Sequence, residues 1–213
     1  MPLNKSAGII LKDCMNLKGN ESCLIITDAR LKPIGDMIYS NSLRITPKSR
    51  LILTSIPNVH GAEPPKNIAD EMLKYDVILM ATSKSLSHTR ARENASRNGA
   101  RIASMPGITK SMINRALDVD FYKIREVNNC LISRLKNCSE VKIKTKKGTN
   151  VSFSVKGRKW ISDDGIYTKK GSFGNLPAGE IFIAPLEGES HGFVIADASV
   201  GGIGKADKKI KIE

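Results

Sequence analysis

The sequence is poor in the residue types that most often mark a specific chemistry. Its 213 residues include three histidines, one tryptophan and only 5% aromatic residues. The four cysteines form no C-x-x-C pair, and none has a histidine at zinc-finger spacing; they are Cys14, Cys23, Cys130 and Cys138. We therefore expect reduced, structural cysteines.

Long apolar runs are also missing. The longest, residues 24–26, 77–81 and 193–196, are far too short to span a bilayer. The N-terminal residues lack the apolar stretch of a secretory signal. These absences predict a cytoplasmic protein without a membrane segment.

Two common phosphate-binding motifs are absent as well. There is no G-x-G-x-x-G between the first strand-like segment and its helix, and no Walker phosphate loop. A dinucleotide or nucleoside triphosphate site therefore loses its usual support.

The net charge of +13 raises the possibility of nucleic-acid binding. The charge is spread along the chain, however, and basic residues do not alternate with aromatic ones, so a nucleic-acid partner is not expected.

Short apolar segments alternate with helical patterns over the first 135 residues. The strand-like segments are residues 22–27, 50–55, 76–82 and 101–104, and the helical ones are residues 4–17, 31–43, 64–75, about 87–98 and most of 108–135. Continuous apolar strands separated by helices are typical of a parallel sheet covered on both faces. Ser87 is expected to cap the helix that follows it.

From residue 140 the apolar residues recur with a period of two. Val141, Ile143, Val151 and Phe153 alternate with polar residues on either side of a turn at residues 147–150. This pattern predicts a hairpin with one buried and one solvated face. We therefore predict an α/β fold: an N-terminal parallel-sheet domain over residues 1–135, and a smaller, strand-rich domain over residues 136–213.

The segment around Glu180 concentrates chemically active side chains. Glycines and prolines flank a short apolar strand predicted at residues 181–184, and Glu180 stands at its entry. A carboxylate in that position can serve as a metal ligand or a base, because the strand fixes its direction. The alternative is that Glu180 simply begins a strand in solvent.

Three further side chains alternate downstream of this strand. Glu187, Glu189 and His191 share one face if their segment is extended, which would suit a ligand set. A polar, solvated strand edge or a loop is the alternative, since Gly188 and Gly192 interrupt the segment.

Three segments, in this order and spacing, carry a family resemblance. They are residues 87–107 (SHTRARENASRNGARIASMPG), residues 147–150 (KGTN) with Gly157 and Arg158, and residues 174–185 (GNLPAGEIFIAP). Together they resemble the aminopeptidase T family of metal-dependent aminopeptidases. The resemblance extends over roughly residues 1–204. It implies an α/β N-terminal domain, a strand-rich domain with a metal site, and a homodimer.

The resemblance also implies site residues and a cofactor. Family members bind metal, zinc or cobalt, through glutamates, histidines, a tyrosine and an aspartate. Glu180 matches the first glutamate, in the Asn-Leu-Pro-x-x-Glu segment. The other ligands are expected beyond Glu213, and His191 and Asp197 do not stand at the family's ligand positions. One glutamate cannot complete a catalytic site. Either the chain is the N-terminal piece of a longer enzyme, or it is a shortened relative that binds a ligand without this chemistry, or local residues rebuild a site; the divalent metal can therefore be absent from this chain.

The main hypothesis is therefore an aminopeptidase-type hydrolase that lacks most of its ligand set. The first alternative is a related iron(II)-dependent dioxygenase that cleaves the ring of dihydroxypyridine. The second is a non-catalytic module that binds a small molecule or a partner.

Overall fold

The computed structural model describes residues 2–200 and 204–212. The helices are α1 (Pro2–Ile9), which continues as a π-helical turn (Ile10–Cys14), α2 (Lys32–Ser42), α3 (Lys66–Met72), α4 (Arg90–Arg97), α5 (Lys110–Ala116) and α6 (Phe121–Leu135). The first eight strands are β1 (Cys23–Asp28), β2 (Ser49–Thr54), β3 (Val77–Ala81), β4 (Arg101–Ser104), β5 (Glu140–Lys144), β6 (Asn150–Ser154), β7 (Ile161–Asp163) and β8 (Phe173–Asn175). The remaining strands are β9 (Glu180–Phe182), β10 (Ser190–Ala196), β11 (Ser199–Val200), β12 (Gly204–Lys205) and β13 (Ile210–Ile212).

A five-stranded parallel sheet forms the core, with the strand order β2-β1-β3-β4-β8. Every residue of β1, β3 and β4 is buried. Alternate residues of these strands belong to two separate hydrophobic clusters, so that Leu79 lies in one and its neighbours Ile78 and Met80 lie in the other. Both faces of the sheet are therefore covered, which explains the uninterrupted apolar runs.

The edge strand β8 comes from far along the chain. It pairs with β4 in parallel, although its residues follow the hairpin that the sequence analysis assigned to a second domain. Contacts group residues 1–127 and 163–180 into one compact unit, and residues 128–162 and 181–213 into another. The division into residues 1–135 and 136–213 stays a prediction about domains.

The second unit contains an antiparallel sheet with the strand order β13-β10-β6-β5. The predicted hairpin is confirmed, since β5 and β6 pair with Val141 opposite Phe153 and Ile143 opposite Val151. Two small two-stranded sheets, β7 with β9 and β11 with β12, complete the strands. The α/β fold with a parallel sheet and a strand-rich part is thus confirmed.

One local prediction was wrong. Thr89, not Ser87, caps α4, and its hydroxyl accepts a hydrogen bond from the Arg92 amide at 3.2 Å. Ser87 lies two residues too early, and its hydroxyl is used elsewhere. Within residues 2–200 and 204–212, no helix is both long and apolar enough to cross a membrane.

Candidate functional site

The switch point of the parallel sheet, between β1 and β3, is closed by the chain itself. Ligands in such folds often bind at this point, beyond the carboxyl ends of the strands. Here the buried Asp28 carboxylate accepts hydrogen bonds from the amide and hydroxyl of Ser83, at 2.5 and 2.9 Å. It also accepts from the amides of Arg30 and Leu31. Asp28 therefore ties the two strand ends together and closes the turn after β1.

An open cleft lies instead at the carboxyl ends of β4 and β8. Ser104 and Asn175 are partners in the parallel register, so the two strand ends lie side by side. Next to them is a cleft of ≈ 380 Å³. It is lined by Asp163, Asn175, Pro177, Ala178, Gly179 and Glu180.

Tyr167 organises the polar side of this cleft. Its side chain is 5% exposed, and its hydroxyl lies 2.5 Å from Asp163 Oδ1 and 2.6 Å from the Asn175 carbonyl oxygen. A phenol carries one hydrogen, so it cannot donate to both oxygens at once. Tyr167 therefore shares its single hydrogen between the Asp163 carboxyl and the Asn175 carbonyl, and it holds the two together.

The surroundings favour the protonated form of Asp163. Burial raises the pKa of this carboxyl above its ordinary value, and the hydrogen bond from Tyr167 only partly opposes that shift. Burial and the neighbouring Asp163 likewise raise the pKa of Tyr167, so its phenol stays neutral. The cleft thus contains a half-buried carboxyl group in close contact with a neutral phenol.

A glycine allows Tyr167 to reach this position. A Cβ atom on Gly174 would lie 2.3 Å from Tyr167 Cε1, well inside contact distance. The aromatic ring therefore packs directly on the backbone of β8 at Gly174. This close approach brings the phenol under the carbonyl of the next residue, Asn175.

Asn175 presents a hydrogen-bond donor to the cleft. Its side-chain oxygen lies 3.3 Å from the Ser87 hydroxyl, which also lies 3.0 Å from the Ser104 hydroxyl. With the oxygen engaged, the Asn175 amide nitrogen has no acceptor among the described residues. It is available to a ligand with an oxygen or an aromatic nitrogen.

Arg92 packs beside the hydrogen bonds of Ser87, Ser104 and Asn175. Its guanidinium stacks 4.3 Å from the centre of the Phe173 ring, and its Nε donates to the Ser87 carbonyl at 2.7 Å. Its side chain is 14% exposed, and it holds the segment that carries Ser87 against β8.

Glu180 is exposed, begins β9 and lines the cleft. The other sequence candidates lie in the second unit. Glu187 pairs with Arg158 at 2.7 Å, and Asp197 pairs with Lys147. His191 is an exposed residue of β10.

The described residues do not form a complete metal site. Across residues 2–200 and 204–212, no three histidine, cysteine, aspartate or glutamate side chains are grouped so that they could hold a metal ion. Oxygenase iron(II) commonly takes two histidines and one carboxylate. Glu180 can supply a carboxylate, but the described residues alone do not fit such an ion.

Three residues of the cleft were missed by sequence reasoning: Asp163, Tyr167 and Asn175. Asn175 lies within the Gly-Asn-Leu-Pro segment that carries the family resemblance, so its position was visible. Asp163 ends the three-residue strand β7, and Tyr167 lies in the irregular stretch after it, so neither shows a periodic pattern. Their hydrogen bonds with each other and with Asn175 bring them to the cleft.

Comparisons with known proteins give both a family and a fold. The model of the NicX family, 2,5-dihydroxypyridine 5,6-dioxygenase, matches residues 42–200. The solved 2,5-dihydroxypyridine dioxygenase from Pseudomonas putida KT2440 superposes with a TM-score of 0.82 at 15% identity, over 99% of this chain and 64% of that one. AmpT from Thermus thermophilus superposes with a TM-score of 0.62 at 14% identity, over 92% of this chain and 64% of that one. No curated protein sequence matches.

These findings correct the functional prediction. The fold relationship to aminopeptidase T is real but distant, and the prediction of an aminopeptidase-type hydrolase is wrong, because the family match is to the dioxygenases. The zinc or cobalt ion expected from that resemblance loses its support with it. The segments that carry the resemblance build α4, β4, β9 and most of β8, and they also include the cleft residues Asn175 and Glu180. The chain spans 64% of each solved relative, and it belongs to the 2,5-dihydroxypyridine 5,6-dioxygenase family.

Proposed function

We propose that this chain forms the substrate-binding framework of a ring-cleaving dioxygenase that acts on a dihydroxypyridine or a similar hydroxylated ring. The observation that carries the proposal is the family match over residues 42–200, which includes every residue lining the cleft. A reaction of this class breaks one ring carbon–carbon bond and places one atom of O₂ on each carbon. It needs no further reductant.

The cleft is chemically suited to such a ring. The Asn175 amide can donate to a ring hydroxyl or ring nitrogen, and the Asp163 carboxyl at the same cleft can accept a hydrogen bond from a ring hydroxyl. Pro177 and Ala178 offer apolar contact to the ring itself. These groups bind and orient the substrate, whatever the identity of the metal.

Glu180 is proposed as one ligand of iron(II), the ion that would activate O₂ and the substrate. The other ligands would come from outside the described residues, because those residues provide no complete set. Glu180 begins β9 and lines the cleft, so the strand fixes the backbone position from which its carboxylate could reach the ion.

Oxygen uptake tests this proposal. The native protein is loaded with iron(II) under anaerobic conditions and then mixed with 2,5-dihydroxypyridine in aerated buffer. We expect iron-dependent O₂ consumption together with loss of the ring absorbance, and we expect both to be lost in Glu180→Gln. Glu189→Gln, a change of the same kind in the second unit, should keep the wild-type rate. Uptake that is equal in Glu180→Gln and the wild type would reject Glu180 as a ligand.

A second candidate function is binding of the ring compound without turnover. The lack of a three-ligand set among the described residues favours it. Saturable binding of 2,5-dihydroxypyridine without O₂ uptake, at any iron(II) concentration, would support this alternative and reject the dioxygenase.

Asn175 offers a test that does not depend on the metal. Asn175→Ala removes one neutral hydrogen bond to the ring, which is worth about 1 kcal/mol, or about a fivefold to tenfold weaker affinity. Calorimetric titration with 2,5-dihydroxypyridine under anaerobic conditions measures it. Unchanged affinity would place the ring elsewhere.

A further inference from the structure

Another cleft, of ≈ 560 Å³, lies at the amino ends of the first three strands of the parallel sheet. The register sets Ser49, the first residue of β2, beside Cys23 of β1, and it sets Cys23 beside Val77 of β3. Residues near these strand starts and on α3 line the cleft, among them Lys48, Arg50, Glu71, Lys74 and Tyr75. We call it the basic cleft. It lies at the edge of the sheet opposite to the cleft around Asn175, so the two are separate sites.

Three cations and one carboxylate set the charge of the basic cleft. Arg50 Nη1 lies 2.9 Å from one oxygen of Glu71, and Lys74 Nζ lies 2.6 Å from the other. The Glu71 carboxylate therefore holds both cations in place but neutralises only one of them. Lys48 forms no ion pair among the described residues, and its ammonium donates to the Asn20 carbonyl at 3.2 Å. The lining side chains thus keep two positive charges in excess.

The cations of the basic cleft keep hydrogen-bond donors for a ligand. Arg50 uses only Nη1, and Nε and Nη2 have no acceptor in the part of the chain that the structure describes. Lys74 uses one of the three hydrogens of its ammonium on Glu71. The side chains of Arg50 and Lys74 are 57% and 63% exposed, so a ligand can reach these donors from solvent. A guanidinium matches two oxygens of a phosphate group, and a lysine binds phosphate as a point charge.

Tyr75 gives the basic cleft an aromatic wall. Its side chain is half-buried and packs against the hydrophobic cluster that contains Ile78 and Met80. An aromatic ring beside cations suits an anion that also carries an organic group. The volume agrees with this, because sites for small organic ligands typically measure about 300–1,000 Å³.

We propose that the basic cleft binds a small phosphate monoester, an inference that goes beyond the proposed function and does not rest on it. A phosphate monoester carries a charge of about −1.5 to −2 at pH 7, which matches the two positive charges in excess. A monocarboxylate would leave one of these charges unmatched. Lys48, Arg50 and Lys74 bind the phosphate, and Tyr75 packs against the organic group. Side-chain cations replace the glycine-rich phosphate loop that the sequence lacks.

Calorimetric titration of the wild-type chain with phenyl phosphate, in a buffer of low ionic strength, tests the proposal. We expect saturable binding that is weakened about tenfold or more in the double variant Lys48→Ala, Arg50→Ala, since it loses hydrogen bonds from two charged groups. The matched control is Arg30→Ala, Lys66→Ala. It removes the same two charges, but Arg30 follows β1 and Lys66 begins α3, so both lie at the opposite edge of the sheet. The control should bind phenyl phosphate like the wild type.

Two natural classes of monoester are then compared by the same titration. Adenosine monophosphate represents a nucleotide and glucose 6-phosphate a sugar phosphate. Binding of either one more tightly than inorganic phosphate supports the proposal and assigns the class. Tyr75→Leu should reduce the preference for phenyl phosphate over inorganic phosphate, because it removes the ring and keeps an apolar side chain.

Four results would overturn the proposal. The first is the absence of saturable binding for all three esters up to about 1 mM. The second is an unchanged affinity in Lys48→Ala, Arg50→Ala, which would place the ligand elsewhere. The third is inorganic phosphate that binds as tightly as every ester, which would mean that the cations attract any phosphate. The fourth is a short single-stranded oligonucleotide that binds more tightly than the esters, which would assign the basic cleft to nucleic acid.

Discussion

Replacing Tyr167 by phenylalanine should destabilise the first unit while leaving its packing intact. The hydroxyl contacts Asp163 Oδ1 at 2.5 Å and the Asn175 carbonyl at 2.6 Å, and the side chain is 5% exposed. Removing it leaves a carbonyl and a carboxyl without their partner, and an unsatisfied buried polar group costs about 1–3 kcal/mol. Since Asp163 is only half-buried, water can replace part of the loss, and we expect about 1–2 kcal/mol in total.

For a chain of this length, 1 kcal/mol corresponds to about 2–4 °C in the unfolding midpoint, so the midpoint should fall by about 2–8 °C. Thermal unfolding followed by circular dichroism measures the change. Tyr122→Phe is the matched control, because Tyr122 is 54% exposed and its loss of a hydroxyl should leave the midpoint unchanged. If Tyr167→Phe unfolds within about 0.3 kcal/mol of the wild type, well below the value of one net hydrogen bond, then the hydroxyl is not part of a buried network.

Three further changes test other contacts. Glu21→Gln removes the carboxylate that accepts two hydrogen bonds from the guanidinium of the buried Arg101, at 2.7 and 2.9 Å. The free energy of unfolding, measured in urea, should fall by about 3 kcal/mol. A fall below about 0.5 kcal/mol would mean that the ion pair behaves as an exposed one. Asp163→Asn removes a carboxyl whose pKa is higher in the folded protein than in the unfolded chain. Proton binding to this carboxyl therefore stabilises the folded protein fully below the ordinary aspartate pKa of about 4, and this stabilisation is lost as pH rises through the folded pKa. The unfolding free energy of the wild type should therefore fall relative to the Asn variant between pH 4 and neutral pH, and a rise over that window would contradict the assignment. Gly174→Ala should lower the free energy of unfolding by about 1–3 kcal/mol, because the new methyl group would displace the Tyr167 ring. Gly8→Ala is the control, since a Cβ atom at this helical position meets nothing within 4 Å and should not destabilise the protein. Equal unfolding midpoints for the two variants would show that the ring is not fixed against β8.

The elements of the parallel sheet could be predicted because their burial leaves a mark in the sequence. Residues buried on both faces must be apolar at every position, so β1 and β3 were located to within one residue. The hairpin was visible for the converse reason, since one solvated face imposes alternation. The first helix was predicted as one continuous element, but its second half is a π-helical turn, which the spacing of apolar residues does not distinguish from α.

The site could be predicted only in part. Glu180 was found from its motif, and the structure places it at a cleft, but its role as a metal ligand stays a prediction. The pairing of β8 with β4 joins residues about 70 positions apart in the chain, and no local pattern specifies it. Asp163 and Tyr167 reach the cleft through hydrogen bonds to each other and to Asn175, and no periodic pattern in the sequence marks them.

The choice between two enzyme classes failed for a related reason. Both solved relatives superpose on most of this chain although they carry different names, and one framework can host different chemistries. Glu187 was considered as a ligand because it alternates with Glu189 and His191, yet it forms an ion pair with Arg158 in the second unit. Alternation along an extended segment predicts that side chains share one face. It does not show whether a nearby lysine or arginine already forms an ion pair with a carboxylate on that face.

The central claim is that this chain belongs to an enzyme that inserts both atoms of O₂ into a hydroxylated ring. The most direct measurement is mass spectrometry of the product formed from 2,5-dihydroxypyridine under ¹⁸O₂, with iron(II) and the polypeptide as its cell makes it. The account predicts a ring-opened product that carries two labelled atoms, and none formed by Glu180→Gln. A product that carries one labelled atom or none, or turnover that persists in that variant, would contradict it.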